Sequence, residues 1–121
     1  MLANNFYTID DLNHASGLIT ATILFNADHP IFKGHFPSIP VVPGVCMMQL
    51  VKETLEHATE MKTSITKAGQ LKFLSLIVPT KTPKVDVRIQ YSRLDKVFDI
   101  SAELRDTDRV YFKMKAMLTT P

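Results

Sequence analysis

Three stretches in the second half of the chain alternate between apolar and polar residues with a period of two. Val85-Asp86-Val87-Arg88-Ile89-Gln90-Tyr91 does so strictly, Phe98, Ile100, Ala102 and Leu104 repeat the pattern, and Val110, Phe112, Met114, Ala116 and Leu118 follow it again. Successive side chains of a strand point to opposite faces, so this period predicts antiparallel strands with one dry and one wet face. The Arg105–Arg109 segment supplies the last hairpin turn. Gln70 to Val78 is more continuously apolar and reads as a central strand covered on both sides. Near the N-terminus, Leu18–Phe25 is short and rich in β-branched residues, as strands are. A brief strand around Phe6 to Ile9 is its expected partner.

Between these regions the period changes. From Val45 to about Met61, Met47, Leu50, Val51, Leu55 and Ala58 recur at the i, i+3, i+4 spacing of one helix face, with Gln49, Glu53, Glu56 and Glu60 on the other. Pro43 suits the helix start, where its missing N–H costs nothing, although Gly44 weakens the local helical preference. The first turn, Val45 to Met48, is apolar all round. This predicts a buried N-terminal end and a more exposed C-terminal end. One long helix followed by an antiparallel meander gives an α+β plan in which the sheet wraps the helix.

Composition narrows the function only a little. With 121 residues and 45% hydrophobic content, the chain can bury one core, and residues 1–121 are read as one domain. No apolar run reaches the roughly 18 residues of a membrane span, and the N-terminus lacks a signal-peptide pattern, so a cytoplasmic protein is expected. A net charge of +2 without a Lys/Arg block gives no reason to expect nucleic acid. The single cysteine, Cys46, lies in an apolar run and reads as core filler. No His, Cys or Asp spacing matches a zinc site, and no cofactor is implied. His14 is placed in a polar turn and His57 near the polar helix face.

The segment Pro30–Pro43, PIFKGHFPSIPVVP, holds four prolines, a glycine and His35 immediately before the helix. Proline fixes φ and restricts the preceding residue, which preorganises the backbone around His35. By itself this reads first as a stiff connector whose histidine packs or hydrogen-bonds. HPIFKGHFPSIPVVPGV, however, closely resembles the active-site signature of bacterial 3-hydroxyacyl-acyl-carrier-protein dehydratases of the FabZ and FabA type, GHFPG-x-P-V-M-P-G-V. Gly34, His35, Phe36, Pro37, Pro40, Val41, Pro43, Gly44 and Val45 match, while Ser38 and Val42 depart conservatively. Leu71-Lys72-Phe73 and Pro79 resemble the strand and loop that follow the family's helix.

The resemblance implies a hot-dog fold, a homodimer joined through its sheets with each site between subunits, and an acyl-carrier-protein substrate. It implies that His35 is the general base that removes a C2 proton. The Gly44 N–H, aided by the helix dipole, would meet the charge developing on the thioester oxygen, with Phe36, Pro43, Gly44 and Val45 around the substrate. The family's acid, an Asp or Glu, stands fourteen residues after the histidine, with a Gln four residues later. This chain has Gln49 and Glu53 there, in the opposite order. A carboxamide cannot deliver a proton to a leaving hydroxide. Glu53, one helical turn on, either reaches the vacated site directly or through a water, or belongs to a solvated face shared with Glu56 and Glu60.

Lys33, Lys67, Lys72, Lys81, Lys84 and Arg88 are candidates for a basic rim that docks an acidic carrier protein, or are ordinary solubilising charge. Met47, Met48, Leu50, Phe73 and Leu76 are candidates for an acyl tunnel, or core. Three functions follow: dehydration of 3-hydroxyacyl thioesters, hydrolysis of acyl thioesters on the same fold, or a non-catalytic subunit that binds carrier protein or an active partner.

Overall fold

The computed structural model describes residue 3 and residues 5–30 and 41–121. Among the described residues, six strands and one long helix follow one another as β1 (Tyr7–Ala15), β2 (Leu18–Phe25), α1 (Gly44–Thr59), β3 (Ser64–Phe73), β4 (Lys84–Leu94), β5 (Val97–Arg105) and β6 (Val110–Thr119). The strands form one sheet in the order β1-β2-β4-β5-β6-β3, and every pairing is antiparallel. This is the expected hot-dog arrangement. Among the described residues, no helix is long and apolar enough to cross a membrane.

The period-two stretches form the strands they predict. Val85, Val87 and Ile89 of β4, Phe98, Ile100, Ala102 and Leu104 of β5, and Phe112, Met114, Ala116 and Leu118 of β6 are all buried. They share one core with Ile19, Ala21 and Ile23 of β2 and with Cys46, Met47, Leu50, Val51 and Leu55 of α1. The helix therefore lies on the apolar face of the sheet, and Cys46 packs within that core. Burial raises the pKa of its thiol, with the nearby Glu53 carboxylate adding to the effect, so it stays protonated. The β1–β2 turn passes through Ser16 and Gly17, both at positive φ (51° and 77°). A side chain on Gly17 would also meet the Tyr91 carbonyl oxygen at 2.8 Å, so the turn requires glycine there twice over.

The structure corrects the sequence reading in several places. The N-terminal strand is longer than Phe6 to Ile9, and it carries His14. That histidine lies on β1 rather than in a turn, its ring nitrogens 3.2 Å from the Ala58 carbonyl oxygen and 2.6 Å from the Tyr91 hydroxyl. Pro43 stands just before α1, with extended backbone and no capping hydrogen bond from its side chain, and Gly44 opens the helix.

Gln70 to Val78 is not a central strand. β3 ends at Phe73, pairs only with β6 among the described strands, and is largely exposed. Of the apolar residues after it, Ile77 is buried, whereas Leu74 and Leu76 are exposed. Burial along α1 follows the faces of the helix as well as its ends. Cys46 and Met47 in the first turn are buried beside a 72% exposed Val45, Glu53, Thr54, Leu55 and Glu56 are buried, and His57 and Glu60 at the far end are exposed.

Candidate functional site

At its N-terminus α1 emerges from an extended Pro43 (φ −62°, ψ 147°), with no side-chain cap and no acidic residue in the first turn. The Cys46 and Met47 amides donate back to the Pro43 carbonyl at 3.0 and 3.2 Å, and the Val42 amide donates to Ile77 at 2.9 Å, tying the helix entry to the segment after β3. The first amides of a helix lack intrahelical acceptors and carry its positive end. Their neighbourhood is apolar. Val41, Val42, Gly44, Met47, Phe73 and Leu76 help line a cavity of about 500 Å³ at this point. Val45, Phe73, Leu74 and Leu76, all exposed, extend the apolar surface around it. Apolar residues grouped on a surface mark a place where something apolar is received.

Gly44 has a steric reason to be glycine. A Cβ there would lie 2.7 Å from Phe73 Cε1, and the Phe73 ring is itself stacked on Phe112 with centroids 5.0 Å apart. We expect Gly44→Ala to displace the Phe73 ring at a cost of about 1–2 kcal/mol, because the ring is half-exposed and can move. In the Phe73→Ala background the same change should cost much less, and denaturant melts of the four proteins in this cycle measure the coupling. Additive effects would show that the two residues are not in contact.

Farther along the helix, two of the three glutamates offered for a solvated face, Glu53 and Glu56, are not solvated. Glu53 is 3% exposed. Its Oε1 accepts from the Tyr7 hydroxyl at 2.7 Å and from the Ala3 amide at 2.8 Å, and its Oε2 accepts from Gln49 Nε2 at 2.7 Å. Glu56, also buried, accepts from Lys52 Nζ at 3.1 Å and from the Thr63 amide and hydroxyl at 2.6 and 3.2 Å, which closes the chain back after the helix. Glu60 alone of the three is exposed. Burial, followed by the hydrogen bond to Glu53, raises the pKa of the Tyr7 phenol far above its ordinary value, so Tyr7 stays protonated and donates.

A helix rises about 1.5 Å per residue, which sets Gln49 about 7–8 Å and Glu53 about 13–14 Å along the axis from Gly44. Gln49 is half-buried and stands between the apolar mouth and the buried carboxylate. Glu53 and Glu56 border a second cavity of about 530 Å³ at the far end of the helix, together with Ala3, Ile9 and His57.

His35 and Phe36 lie outside the described residues, as does Lys33. Pro43, Gly44 and Val45 come together at the apolar mouth, and Gln49 and Glu53 form a directly bonded pair. Of the tunnel candidates, Met47, Phe73 and Leu76 line the cavity there, whereas Leu50 is wholly buried in the core and Met48 is half-buried beside it. Lys72 and Arg88 share a shallow polar depression of about 260 Å³ with Lys113 and Lys115. Arg88 alternates with the buried Val87 and Ile89, which places the depression on the sheet face turned away from the helix.

The sequence reading missed Tyr7 and the Ala3 amide. The only available signal was the general one that a buried tyrosine needs a partner for its hydroxyl.

Comparison with known proteins agrees with this arrangement. A profile of the family described as ApeI-like, ApeI dehydratase, matches residues 11–114. The chain is 35% identical over 65 residues to the 3-hydroxyacyl-[acyl-carrier-protein] dehydratase FabZ of Sinorhizobium fredii, covering 54% of this chain and 40% of that protein. It is 31% identical over 88 residues to the FabZ of Roseobacter denitrificans, covering 65% and 55% of the two chains. The matches thus span about half the length of these relatives. Among solved structures, the dehydratase heterocomplex ApeI:P from Xenorhabdus doucetiae superposes with a TM-score of 0.75 at 17% identity, covering 93% of this chain and 97% of the other, a likeness of fold. The profile match takes in β2, all of α1 with its swapped Gln49–Glu53 pair, and β3 to β5, and on that match the chain belongs to the ApeI-like dehydratase family.

Proposed function

We propose that this protein dehydrates 3-hydroxyacyl thioesters presented on acyl carrier protein, giving trans-2-enoyl thioesters and water. The observation that carries the reading is the uncapped N-terminus of α1, opening with Gly44 beside an apolar cavity, with the Gln49–Glu53 pair on the same helix. His35, assigned from its motif, takes the C2 proton. The C2–H electrons form the C2=C3 bond as the C3–O bond breaks, and the oxygen leaves as water, taking up the proton that the His35 imidazolium gives back. Charge that gathers on the thioester oxygen in between is met by the Gly44 N–H and the helix dipole. A homodimer joined at the free edge of β3 supplies a second copy to cover the apolar mouth.

A second reading has support in one observation. Gln49 cannot supply the leaving group's proton, and the Glu53 carboxylate is engaged by Tyr7, Ala3 and Gln49. In this reading the chain works beside another subunit that completes the acid/base pair, as the heteromeric assembly of the Xenorhabdus protein suggests by analogy.

The test is incubation of the purified protein with a 3-hydroxyacyl carrier-protein thioester while enoyl absorbance and free thiol are both followed. Enoyl formation that falls at least tenfold in His35→Ala is the expected result. Thiol release without enoyl product would instead establish a thioesterase. Carrier binding without turnover, with enoyl formation restored by adding another family subunit, would establish the second reading.

A further inference from the structure

The Glu53–Gln49 pair has a direction, and that direction is set outside the helix. The described donors to Glu53 are the Tyr7 hydroxyl, the Ala3 amide and the Gln49 carboxamide nitrogen. A carboxylate only accepts, so the buried Glu53 requires Gln49 to turn its nitrogen inward. A carboxamide has one donor end and one acceptor end. With one Nε2–H held by Glu53 at 2.7 Å, the nitrogen is turned toward the carboxylate and Oε1 is the end turned away from it, toward a ligand.

We propose that Tyr7 and the Ala3 amide act as positioning groups that polarise the Glu53–Gln49 pair, making Gln49 a hydrogen-bond acceptor toward the acyl chain and so a determinant of selectivity for 3-hydroxyacyl over 3-oxoacyl groups. The proposal rests on the functional reading above and deepens it. A 3-hydroxyl can donate to Oε1, whereas a 3-oxo group has only lone pairs to set against another lone pair. An enoyl chain has no group to donate there, so the same interaction that holds the hydroxyacyl substrate is lost on dehydration.

The polarity can be inverted by one substitution. In Glu53→Gln the Tyr7 hydroxyl and the Ala3 amide still need an acceptor, so they take the new carboxamide's oxygen. Its nitrogen then faces Gln49, which must turn its own oxygen inward and its nitrogen outward. The outward group changes from acceptor to donor with little change in volume.

The experiment uses the full chain and two non-hydrolysable probes, 3-hydroxyacyl and 3-oxoacyl pantetheine thioethers of equal chain length, measured by calorimetry. The wild type should prefer the hydroxyl probe by tenfold or more, and Glu53→Gln should bring the two within threefold. Tyr7→Phe, which removes one of the described groups that fix the direction, should give an intermediate preference. A ratio unchanged in Glu53→Gln, or no preference in the wild type, would overturn the proposal.

A second measurement needs no ligand and no variant. In the wild-type NMR spectrum the Gln49 side-chain NH₂ should show one proton strongly protected from solvent exchange, and two freely exchanging protons would overturn the inward orientation. If neither probe binds while that proton is protected, the functional reading fails and the orientation stands, so the two failures are told apart.

Discussion

Exchanging the two helix residues, Gln49→Glu together with Glu53→Gln, should raise the rate of enoyl formation by about 10²-fold or more, the lower end of what a positioned proton donor contributes. The hydrogen-bond network makes the exchange structurally mild. The Tyr7 hydroxyl and the Ala3 amide, which now donate to Glu53, would donate to the oxygen of the carboxamide at position 53. That carboxamide's nitrogen would donate to the new carboxylate at position 49, across the spacing now bridged at 2.7 Å. The described donors and acceptors thus keep partners, and a proton-carrying group arrives one helical turn nearer Gly44.

The single changes should behave differently from the pair. Gln49→Glu alone sets two carboxylates within hydrogen-bond distance, where both cannot ionise freely, and should lower stability as pH rises. Glu53→Gln alone should give no gain in rate, since neither residue then carries a proton to give. Stopped-flow absorbance on the four proteins gives the rates. A double variant as slow as the wild type would show that the missing acid is not what limits the reaction.

Glu53→Ala should destabilise the fold by about 3–5 kcal/mol. It leaves the buried Tyr7 hydroxyl without its acceptor, at about 1–3 kcal/mol, takes an acceptor from the part-buried Ala3 amide at a smaller cost, and opens a small void as well. Tyr7 is 1% exposed, so solvent does not readily replace the lost oxygen. Glu60→Ala, at an exposed C-capping residue, should change stability by no more than about 0.5 kcal/mol. Urea melts decide between them. Equal midpoints would mean that Glu53 behaves as the surface residue its helical position suggested.

That contrast shows where the sequence was legible. Val85, Val87 and Ile89, or Phe98, Ile100 and Ala102, could be assigned because a half-wet strand writes its burial into a local period of two. The helix could be assigned from Met47, Leu50, Val51 and Leu55 for the same kind of reason. Glu53 could not. Its burial depends on Tyr7, 46 positions away, and on the Ala3 amide, 50 positions away, and no local period records a partner so distant.

The run from Gln70 to Val78 misled in another way. Continuous apolar character states that both sides meet something, but not whether that something belongs to the same chain, and here Phe73, Leu74 and Leu76 remain exposed. Lys72 and Arg88 come together only because β3, β6, β5 and β4 lie side by side in register, Lys72 opposite Lys113, Lys113 opposite Glu103 and Glu103 opposite Arg88. The swap at positions 49 and 53 was visible from the family resemblance, whereas the direction of the bond between them required the fold.

β3 also bears on how the protein behaves when concentrated or warmed. A ten-residue edge strand is a template on which further chains can add and build ribbons. This one carries two irregularities in its pairing, between Ile65 and Lys67 and between Ala68 and Gln70, and exposed lysines at Lys67 and Lys72. Bulges twist an edge out of the flat geometry that stacking needs, and repeated lysines repel one another along a growing ribbon. A pairing of two copies about a two-fold axis would occupy the edge and end there, whereas open-ended addition would meet the bulges and the charge at every step. The strand that ends the sheet on this side is thus itself guarded against precipitation.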